Sequence, residues 1–290
     1  MPLLPSQALI DEGDPPADLP VCDHYCGTEP RMRKALALQA ELGPVFDITL
    51  DCEDGAPIGA EAAHAHLCAD LALSADNRFG RVGARVHPVD HPAFQNDVDT
   101  LVGRAGDRLA YLMVPKPRGL ADVNRACDEI DHFIRIHGHG RDIPVHVLVE
   151  THGALCEVGA IAAHPRVAAL VLGPADLMAS LNTRTLVVGE QPPGYDVGDA
   201  YHHVLMTILV AARAHGVAAV DGPYLKIRDV DAFRVVAGRS AALGYDGKWV
   251  LHPDQIAAGN EIFSPRQADF DHAELILEAY EWSTSGAGGA

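Results

Sequence analysis

The chain has 290 residues, of which 48% are hydrophobic and 21% are charged, so it can bury the core of one large domain or two small ones, and global disorder is excluded. Asp and Glu number 40 against 22 Lys and Arg, which gives a formal net charge of -18. Because such a surface repels a phosphate backbone, the charge disfavours general nucleic-acid binding, and it leaves open a local basic pocket for a small phosphorylated ligand.

Short β-branched runs bounded by Pro, Gly or Asp predict eight strands. In chain order they are Leu19–Tyr25, Val45–Asp51, Val82–His87, Ala110–Val114, Val145–Glu150, Ala168–Leu172, Val217–Val220 and Trp249–Leu251. Apolar residues at three- and four-residue spacing predict helices between the strands. These include Arg31–Leu42, Ala60–Leu73, Leu120–Ile136, His202–His215 and Val230–Leu243. Asp229 is a candidate helix cap, and Gly216 and Gly244 stand where helices commonly end.

Strands that alternate with helices indicate a parallel sheet covered on both faces, and eight such units in about 250 residues predict a closed (β/α)8 TIM barrel of the α/β class. No glycine-rich dinucleotide fingerprint follows the first strand, which weakens a doubly wound alternative. We predict a catalytic barrel over residues 1–263 and a C-terminal helical extension over residues 264–290. Its tail, Ser283–Ala290, has a composition typical of disorder, and Gly189–Gly198 is expected to form an excursion after the sixth strand.

Sequence signals for export or membrane insertion are missing from the chain. Residues 1–20 carry Asp11, Glu12 and Asp14 where a signal peptide has a basic start and an apolar run, and no stretch approaches the roughly 18 apolar residues of a membrane span. Six cysteines are spread without a disulfide framework, which favours reduced thiols and a cytoplasmic protein. Cys22 and Cys26 could hold a metal ion, but no second pair at zinc-finger spacing follows them, so this interpretation is disfavoured.

Polar residues cluster at the predicted carboxyl ends of the strands, where the functional site of a barrel lies. Glu150 ends the fifth strand and Asp176 follows the sixth, so both carboxylates would face the same mouth of the barrel. Two hard oxygen ligands suit Mg²⁺, and a 2-hydroxy or 2-oxo carboxylate could chelate the same ion. The alternative is that both residues only cap the helices that follow. Arg85, at the end of the third strand, could hold a substrate carboxylate or stabilise enolate charge, or form a structural ion pair with Asp51 or Glu53.

The remaining candidates each have a functional and a structural interpretation. Asp51, Glu53 and Asp54 could orient metal-bound water and Arg85, or form a solvated loop. Lys116 could form a Schiff base, although nearby carboxylates favour a protonated, electrostatic role. His87 and His252 could transfer protons, or fix the turn before the proline that follows each of them. The last candidates are the basic residues that open the first helix, which could bind phosphate or form a solvated face: Arg31, Arg33 and Lys34.

Several blocks of the sequence resemble the HpcH/HpaI aldolase and citrate lyase family. They are Leu50-Asp51-Cys52-Glu53-Asp54-Gly55-Ala56, Val114-Pro115-Lys116, Val149-Glu150-Thr151, Gly173-Pro174-Ala175-Asp176-Leu177, Asp221-Gly222-Pro223 and the most specific one, residues 244–255. The match covers about residues 28–281 and is similar to the branch with the citrate lyase beta subunit and the malyl-CoA and citramalyl-CoA lyases. It implies a barrel that forms trimers or multiples of them, with a CoA thioester along the mouth.

The resemblance also implies a reaction and a set of site residues. The activity would be Mg²⁺-dependent cleavage of a 3-hydroxyacyl-CoA, such as malyl-CoA, citramalyl-CoA or a citryl thioester, into a 2-oxo acid and an acyl-CoA. The alternatives are a class II aldolase for free 4-hydroxy-2-oxo acids and a non-catalytic accessory subunit that binds CoA or a dicarboxylate. The predicted metal ligands are Glu150 and Asp176, the predicted catalytic residues Arg85, Glu53 and Asp51, and the predicted substrate-binding residues Arg85, Lys116, Gly173, Pro174, Ala175, Arg31 and Lys34.

Three features depart from the family pattern. The first strand ends in Cys22-Asp23-His24-Tyr25-Cys26-Gly27 where the family has an apolar-Pro-Gly loop, and Pro117-Arg118 replaces an apolar-Glu pair. Related lyases and thioesterases carry a catalytic Asp on a C-terminal lid that reaches a neighbouring subunit, and the segment Ser283–Ala290 has no matching Asp. The acid/base group therefore stays unassigned, and hydrolysis of a CoA ester is the least supported activity.

Overall fold

The strands of the computed structural model, which describes residues 19–184 and 191–285, close into a parallel barrel. They are β1 Cys22–Cys26, β2 Asp47–Asp51, β3 Val82–Arg85, β4 Leu112–Val114, β5 Val145–Val149, β6 Val167–Leu172, β7 Ala218–Asp221 and β8 Gly247–Val250. Each pairs with the next in chain order, and β8 pairs with β1. The predicted (β/α)8 barrel is confirmed.

The helices form the outer layer of the barrel. They are α1 Glu29–Leu42, α2 Glu61–Leu73, α3 Phe94–Ala105, α4 Leu120–His137, α5 His152–Cys156, α6 Val158–Ala162, α7 Pro174–Ser180, α8 His202–His215, α9 Val230–Leu243, α10 Pro253–Phe263 and α11 Gln267–Ser285. The three predicted capping residues are confirmed: Asp229 accepts the Ala232 N–H at 3.0 Å, and Gly216 and Gly244 adopt left-handed φ values of 67° and 103°.

The first residues of β8 explain why the predicted start of this strand lay two residues too far along the chain. The sequence predicted a strand from Trp249, whereas the strand begins at Gly247 and includes Lys248. The side chain of Lys248 is 1% exposed, and its Nζ donates to Asp221 Oδ2 at 2.6 Å and to the Gly222 carbonyl at 2.7 Å. A charged residue can therefore lie inside the barrel wall because its partner on β7 neutralises it.

The cysteines predicted as a weak metal-site candidate lie inside the barrel wall, and the C-terminal segment is helical over most of its length. Cys22 and Cys26 are both buried in β1, and residues 19–184 and 191–285 contain no group of three or more His, Cys, Asp or Glu side chains arranged to hold a metal ion. Helix α11 continues through Ser283 to Ser285, so it includes the start of the segment predicted as tail; residues 286–290 lie outside the described part. Residues 185–190, at the start of the predicted excursion, also lie outside it. None of the described helices is long and apolar enough to span a bilayer.

Asp23 is a buried carboxyl group on β1. Both of its carboxylate oxygens accept the Thr49 hydroxyl, at 2.7 and 2.8 Å, and Thr49 Oγ1 lies 2.7 Å from the Tyr111 hydroxyl oxygen. Burial raises the pKa of Asp23 to about 6, because the hydrogen bonds from Thr49 and Tyr111 oppose the loss of solvation only in part. The folded barrel therefore binds the Asp23 proton more tightly than the unfolded chain does.

We expect Asp23→Asn to remove a pH-dependent loss of stability. As the pH rises from about 4 to about 6, the unfolded chain releases the Asp23 proton while the folded chain retains it, so the free energy of unfolding falls by up to about 3 kcal/mol. Urea unfolding of the wild type and the variant at several pH values from 4 to 7 measures this, with the exposed Asp76→Asn as the control. A difference between wild type and Asp23→Asn that stays constant over this range would contradict the prediction.

Candidate active site

Glu150 lies directly after β5, where its carboxylate is 2% exposed and faces the mouth region shared with β4 and β6. Its Oε1 accepts the backbone N–H of Lys116 at 2.6 Å. Burial raises the pKa of Glu150 to about 8, the charge of Arg85 opposes this, and the nearby Asp176 carboxylate adds to it. The site therefore favours a cation or a proton beside Glu150.

The helix-capping alternative for Glu150 does not describe the structure. Thr151 is the residue that caps α5, because its side-chain oxygen accepts the Ala154 N–H at 3.0 Å. Asp176 lies in the first turn of α7, directly after the Gly173-Pro174 entry to that helix. The two carboxylates are thus on adjacent β/α units and close enough that the charge of Asp176 acts on Glu150.

This pair fits a hard divalent cation. Mg²⁺ takes oxygen ligands, commonly from one or two carboxylates, and keeps waters or takes substrate oxygens in its other positions. Such a site needs only two acids from the protein, which is consistent with the absence of larger His/Cys/Asp/Glu clusters in the described ranges. Burial is the main cause that raises the pKa of Glu150, and a cation bound beside this carboxylate would favour its charged form.

Arg85, the last residue of β3, is the centre of a buried charge cluster. Its Nε and Nη2 donate to the two oxygens of Asp51 at 2.6 and 2.9 Å, and its Nη1 lies 3.0 Å from Glu53 Oε2. Burial alone would raise the pKa of Asp51, but the hydrogen bonds and the charge of Arg85 hold it below its usual value. The ion pair predicted as the structural alternative is therefore formed, with Asp51 and Glu53 together, and it fixes the guanidinium at the barrel mouth.

Two aromatic residues that sequence reasoning did not assign complete this cluster. The Tyr25 hydroxyl donates to Asp51 Oδ2 at 2.5 Å and accepts from Arg85 Nη2 at 3.3 Å. The guanidinium carbon of Arg85 lies 5.2 Å from the centre of the Tyr25 ring and 5.6 Å from that of Trp249. The aromatic faces hold the cation in a dry environment. The sequence signal that could have identified Tyr25 as a site residue was its position near the end of a predicted strand.

Lys116 connects the loops that follow β2 and β4. Its Nζ donates to Glu53 Oε1 and to Asp54 Oδ2, the latter at 2.7 Å. Burial alone would lower the pKa of Lys116, but the hydrogen bonds with Asp54 and Glu53 raise it above its usual value. A protonated amine cannot attack a carbonyl group, so the structure supports an electrostatic role rather than a Schiff base.

The two histidines predicted at strand ends have different surroundings. The backbone N–H and the ring Nδ1 of His87 both bond Asp97 Oδ2, at 3.0 and 2.6 Å. Burial alone would lower the pKa of His87, but Asp97 raises it above its usual value. His252 caps α10, because its Nδ1 accepts the Asp254 N–H at 3.3 Å, and this matches the turn-fixing interpretation. Asp97 was missed because nothing in its spacing links it to His87.

The basic residues predicted on the first helix, and Arg118, are exposed. Arg33 pairs with Glu29 at 2.7 Å on the surface of α1, which matches the solvated-face interpretation for that residue. Arg31 and Lys34 lie on the same helix with exposed side chains, and their substrate-binding role stays a prediction. Arg118 pairs with Asp90 at 2.5 Å and with Asp122 at 2.9 Å, so the charge that departs from the family pattern is neutralised locally.

Gly173 lies against the side chain of Glu150. A Cβ atom added at Gly173 would lie 2.5 Å from the Glu150 Cβ and closer still to Glu150 Oε2. The predicted substrate-binding run Gly173-Pro174-Ala175 thus packs against the predicted metal ligand at its first residue. Its contact with a substrate stays a prediction.

Gly173→Ala is expected to weaken the affinity for Mg²⁺ by about 10- to 100-fold, because the added methyl group displaces the Glu150 carboxylate. Isothermal titration calorimetry with Mg²⁺ measures the affinity, and thermal unfolding checks that the variant is folded. Gly159→Ala is the matched control, since a Cβ atom at Gly159 meets nothing within 4 Å. Equal affinities of the two variants would show that Gly173 does not constrain Glu150.

Most of the site residues described above lie within the part of the chain that matches a known protein family. A family model described as HpcH/HpaI aldolase/citrate lyase matches residues 34–253, a range that includes Asp51, Arg85, Lys116, Glu150 and Asp176. The chain belongs to the HpcH/HpaI aldolase/citrate lyase family. The resemblance seen in the sequence is confirmed at the level of the family.

Relatives within this family have known names and structures. An L-malyl-CoA/beta-methylmalyl-CoA lyase of Cereibacter sphaeroides is 32% identical over 272 residues, covering 90% of this chain and 85% of the relative. The crystal structure of a citrate lyase from Burkholderia xenovorans LB400 superposes with a TM-score of 0.88 at 38% identity, covering 98% of this chain and 87% of that one. The citrate lyase beta subunit of Mycobacterium tuberculosis, complexed with oxaloacetate and magnesium, gives a TM-score of 0.66 at 26% identity, covering 86% and 98%.

Proposed function

We propose that this protein is a Mg²⁺-dependent carbon–carbon lyase that cleaves a 3-hydroxyacyl-CoA thioester into a 2-oxo acid and an acyl-CoA. The observation that carries the proposal is the buried Glu150 carboxylate, adjacent to Asp176 and within the electrostatic reach of Arg85. The class of substrate rests on the named relatives, which include malyl-CoA lyases and a citrate lyase beta subunit with magnesium and oxaloacetate.

Glu150 and Asp176 would hold the cation, which when bound supplies a Lewis acid for the carboxylate and hydroxyl oxygens of the substrate. Arg85 would bind and stabilise negative charge. A guanidinium has five N–H groups. Nε and Nη2 of Arg85 donate to Asp51 and Tyr25 through three of them, and Nη1 forms an ion pair with Glu53, so the N–H groups on Nη1 would reach a substrate or enolate oxygen.

The rest of the cluster would keep that donor in place during the reaction. Cleavage breaks the bond between the hydroxyl-bearing carbon and the α-carbon of the thioester, the hydroxyl group loses its proton, and the enolate gains one at carbon. Asp51 holds two nitrogens of Arg85 at once, so the guanidinium cannot turn toward solvent when charge develops. Tyr25 and Trp249 exclude water from its faces.

A substrate panel tests the proposal. The purified protein is incubated with Mg²⁺ and, separately, with malyl-CoA, citramalyl-CoA, citryl-CoA and free 4-hydroxy-2-oxo acids, and the 2-oxo acid formed is measured. We expect product from at least one thioester and loss of that product with EDTA. Cleavage of the free acids alone would make the protein a class II aldolase instead. Tight CoA binding with no turnover on the whole panel would indicate the accessory-subunit alternative.

We also propose that the protein is a homo-oligomer, a trimer or a multiple of it, and that helix α11 contributes to the interface. Every residue from Gln267 to Trp282 is exposed, and apolar side chains on this helix include Phe270, Leu275 and Ile276, which are 51%, 63% and 55% exposed. Large apolar side chains grouped on one helix commonly mark an association surface.

Light scattering after size-exclusion chromatography tests this part of the proposal. Ile276→Asp is expected to reduce the mass toward that of a monomer of 30.8 kDa, because it places a charge in the apolar surface. Glu278→Gln on the same helix is the control. A wild-type protein that is already monomeric would reject the proposed oligomer.

Two further assignments stay proposals. The barrel over residues 1–263 would be the catalytic domain, with residues 264–290 as its C-terminal extension. A reducing, cytoplasmic environment is supported by the six cysteines, all of which have free thiols.

A further inference from the structure

Lys116 has an unusual backbone conformation for its residue type. Its φ is 49°, and it shares a positive φ with only one other non-glycine residue in the described ranges, Asn182. It also lies between Pro115 and Pro117, and a residue that precedes proline ordinarily adopts an extended conformation. Strained backbone of this kind persists where the surrounding structure requires it, and it concentrates at functional sites.

The strained conformation directs one particular hydrogen-bond donor. Proline has no backbone N–H, so in the run Pro115-Lys116-Pro117 the donor can come only from Lys116. That N–H donates to Glu150 Oε1 at 2.6 Å. On the other side, the Thr151 hydroxyl donates to the Pro117 carbonyl at 2.5 Å, so the run is fixed to the segment that carries Glu150 at two points.

The side chain of the same residue extends to the other half of the site. Its Nζ donates to Glu53 and Asp54, and Glu53 is also an ion-pair partner of Arg85. One residue therefore contacts the carboxylate proposed to bind the cation and the loop that holds the guanidinium. The two contacts use different atoms, so substitutions can separate them.

We propose that Lys116 is a positioning residue whose left-handed backbone orients Glu150 for the cation, while its ammonium group separately fixes the loop of Glu53 and Asp54. This inference deepens the proposed function and rests on it. It assigns the effect on the cation to the backbone N–H and not to the charge of the side chain.

Three substitutions separate the backbone from the side chain. Glycine readily adopts positive φ and keeps the N–H, so Lys116→Gly retains the first contact and removes the second. Lys116→Met also removes the charge and keeps an unbranched side chain. Lys116→Val introduces a β-branched residue, which disfavours positive φ and should turn the N–H away from Glu150.

Binding of Mg²⁺, and of Mn²⁺ by electron paramagnetic resonance, is measured for each variant without substrate, with thermal unfolding as the check on folding. We expect Lys116→Gly and Lys116→Met to bind within about threefold of wild type and Lys116→Val to bind about 10- to 100-fold more weakly. With substrate, Lys116→Gly and Lys116→Met should show altered kcat or KM despite normal cation affinity.

The outcomes distinguish this inference from the function on which it rests. Weak cation binding by Lys116→Gly and Lys116→Met would assign the effect to the ammonium group and overturn the inference, even if Lys116→Val does not fold. Normal binding by a folded Lys116→Val would overturn it as well. A wild-type protein that binds neither ion would instead reject the proposed cation site itself.

Discussion

Glu150→Gln is expected to lower lyase turnover by about 10³-fold or more and to abolish measurable Mg²⁺ binding. The amide is nearly isosteric with the carboxylate, and its oxygen can still accept the Lys116 N–H, but it has no charge to offer a cation. Asp176→Asn is expected to have the same effect, since the second carboxylate of the pair is removed. Calorimetry with Mg²⁺ and a coupled assay for the 2-oxo acid product measure the two quantities.

The control for these variants is Glu41→Gln, an exposed substitution near the end of α1 that also removes one negative charge. It should leave cation affinity and turnover unchanged. If Glu150→Gln retained wild-type turnover with Mg²⁺, the proposed cation site would be wrong, even though the family assignment would stand.

Arg85→Met is expected to lower the free energy of unfolding by about 3 to 5 kcal/mol, because it leaves the buried Asp51 carboxylate without its cation and Glu53 with Lys116 as its cation partner. The loss should also abolish turnover, since it removes the guanidinium that is proposed to stabilise the negative charge of the enolate. Urea unfolding of the variant and of the wild type at pH 7, under the same conditions, measures the difference in stability.

A double variant shows whether the uncompensated charge is the cause. Arg85→Met combined with Asp51→Asn should be more stable than Arg85→Met alone, because the amide still accepts the N–H groups of Glu53 or Gly55 but carries no buried charge. A loss below about 1 kcal/mol for Arg85→Met would indicate that the cluster is far better solvated than its burial implies.

The barrel and the order of its site residues could be predicted because they depend on local patterns. Short apolar runs marked the strands, and the carboxyl end of each strand is where a barrel collects its polar residues, so Arg85 and Glu150 were found from position alone. Strand ends were less certain. β3 was predicted to end at His87 but ends at Arg85. His87 instead bonds Asp97 on α3, and no periodicity in the sequence reports that contact.

The contacts that tune the site could not be predicted, since they join residues far apart in the chain. Tyr25 and Asp51 meet because β1 and β2 are neighbours in register, which fixes a hydrogen bond that sequence spacing does not encode. The role of the Lys116 backbone could be inferred only from its φ angle, which the sequence alone does not give. For Gly173, the resemblance to the family implied a substrate-binding role but did not show that its missing side chain makes room for Glu150.

Helix α11 has a consequence for how the protein behaves on dilution. Its residues from Gln267 to Trp282 are exposed, so it lacks the packing against its own chain that supplies most of the stability of a helix in a protein. If copies of the chain supply the missing contacts, mass action links the order of this segment to protein concentration. Its amide protons should then exchange faster with deuterium at nanomolar than at micromolar concentration, while those of the barrel strands exchange at the same slow rate in both.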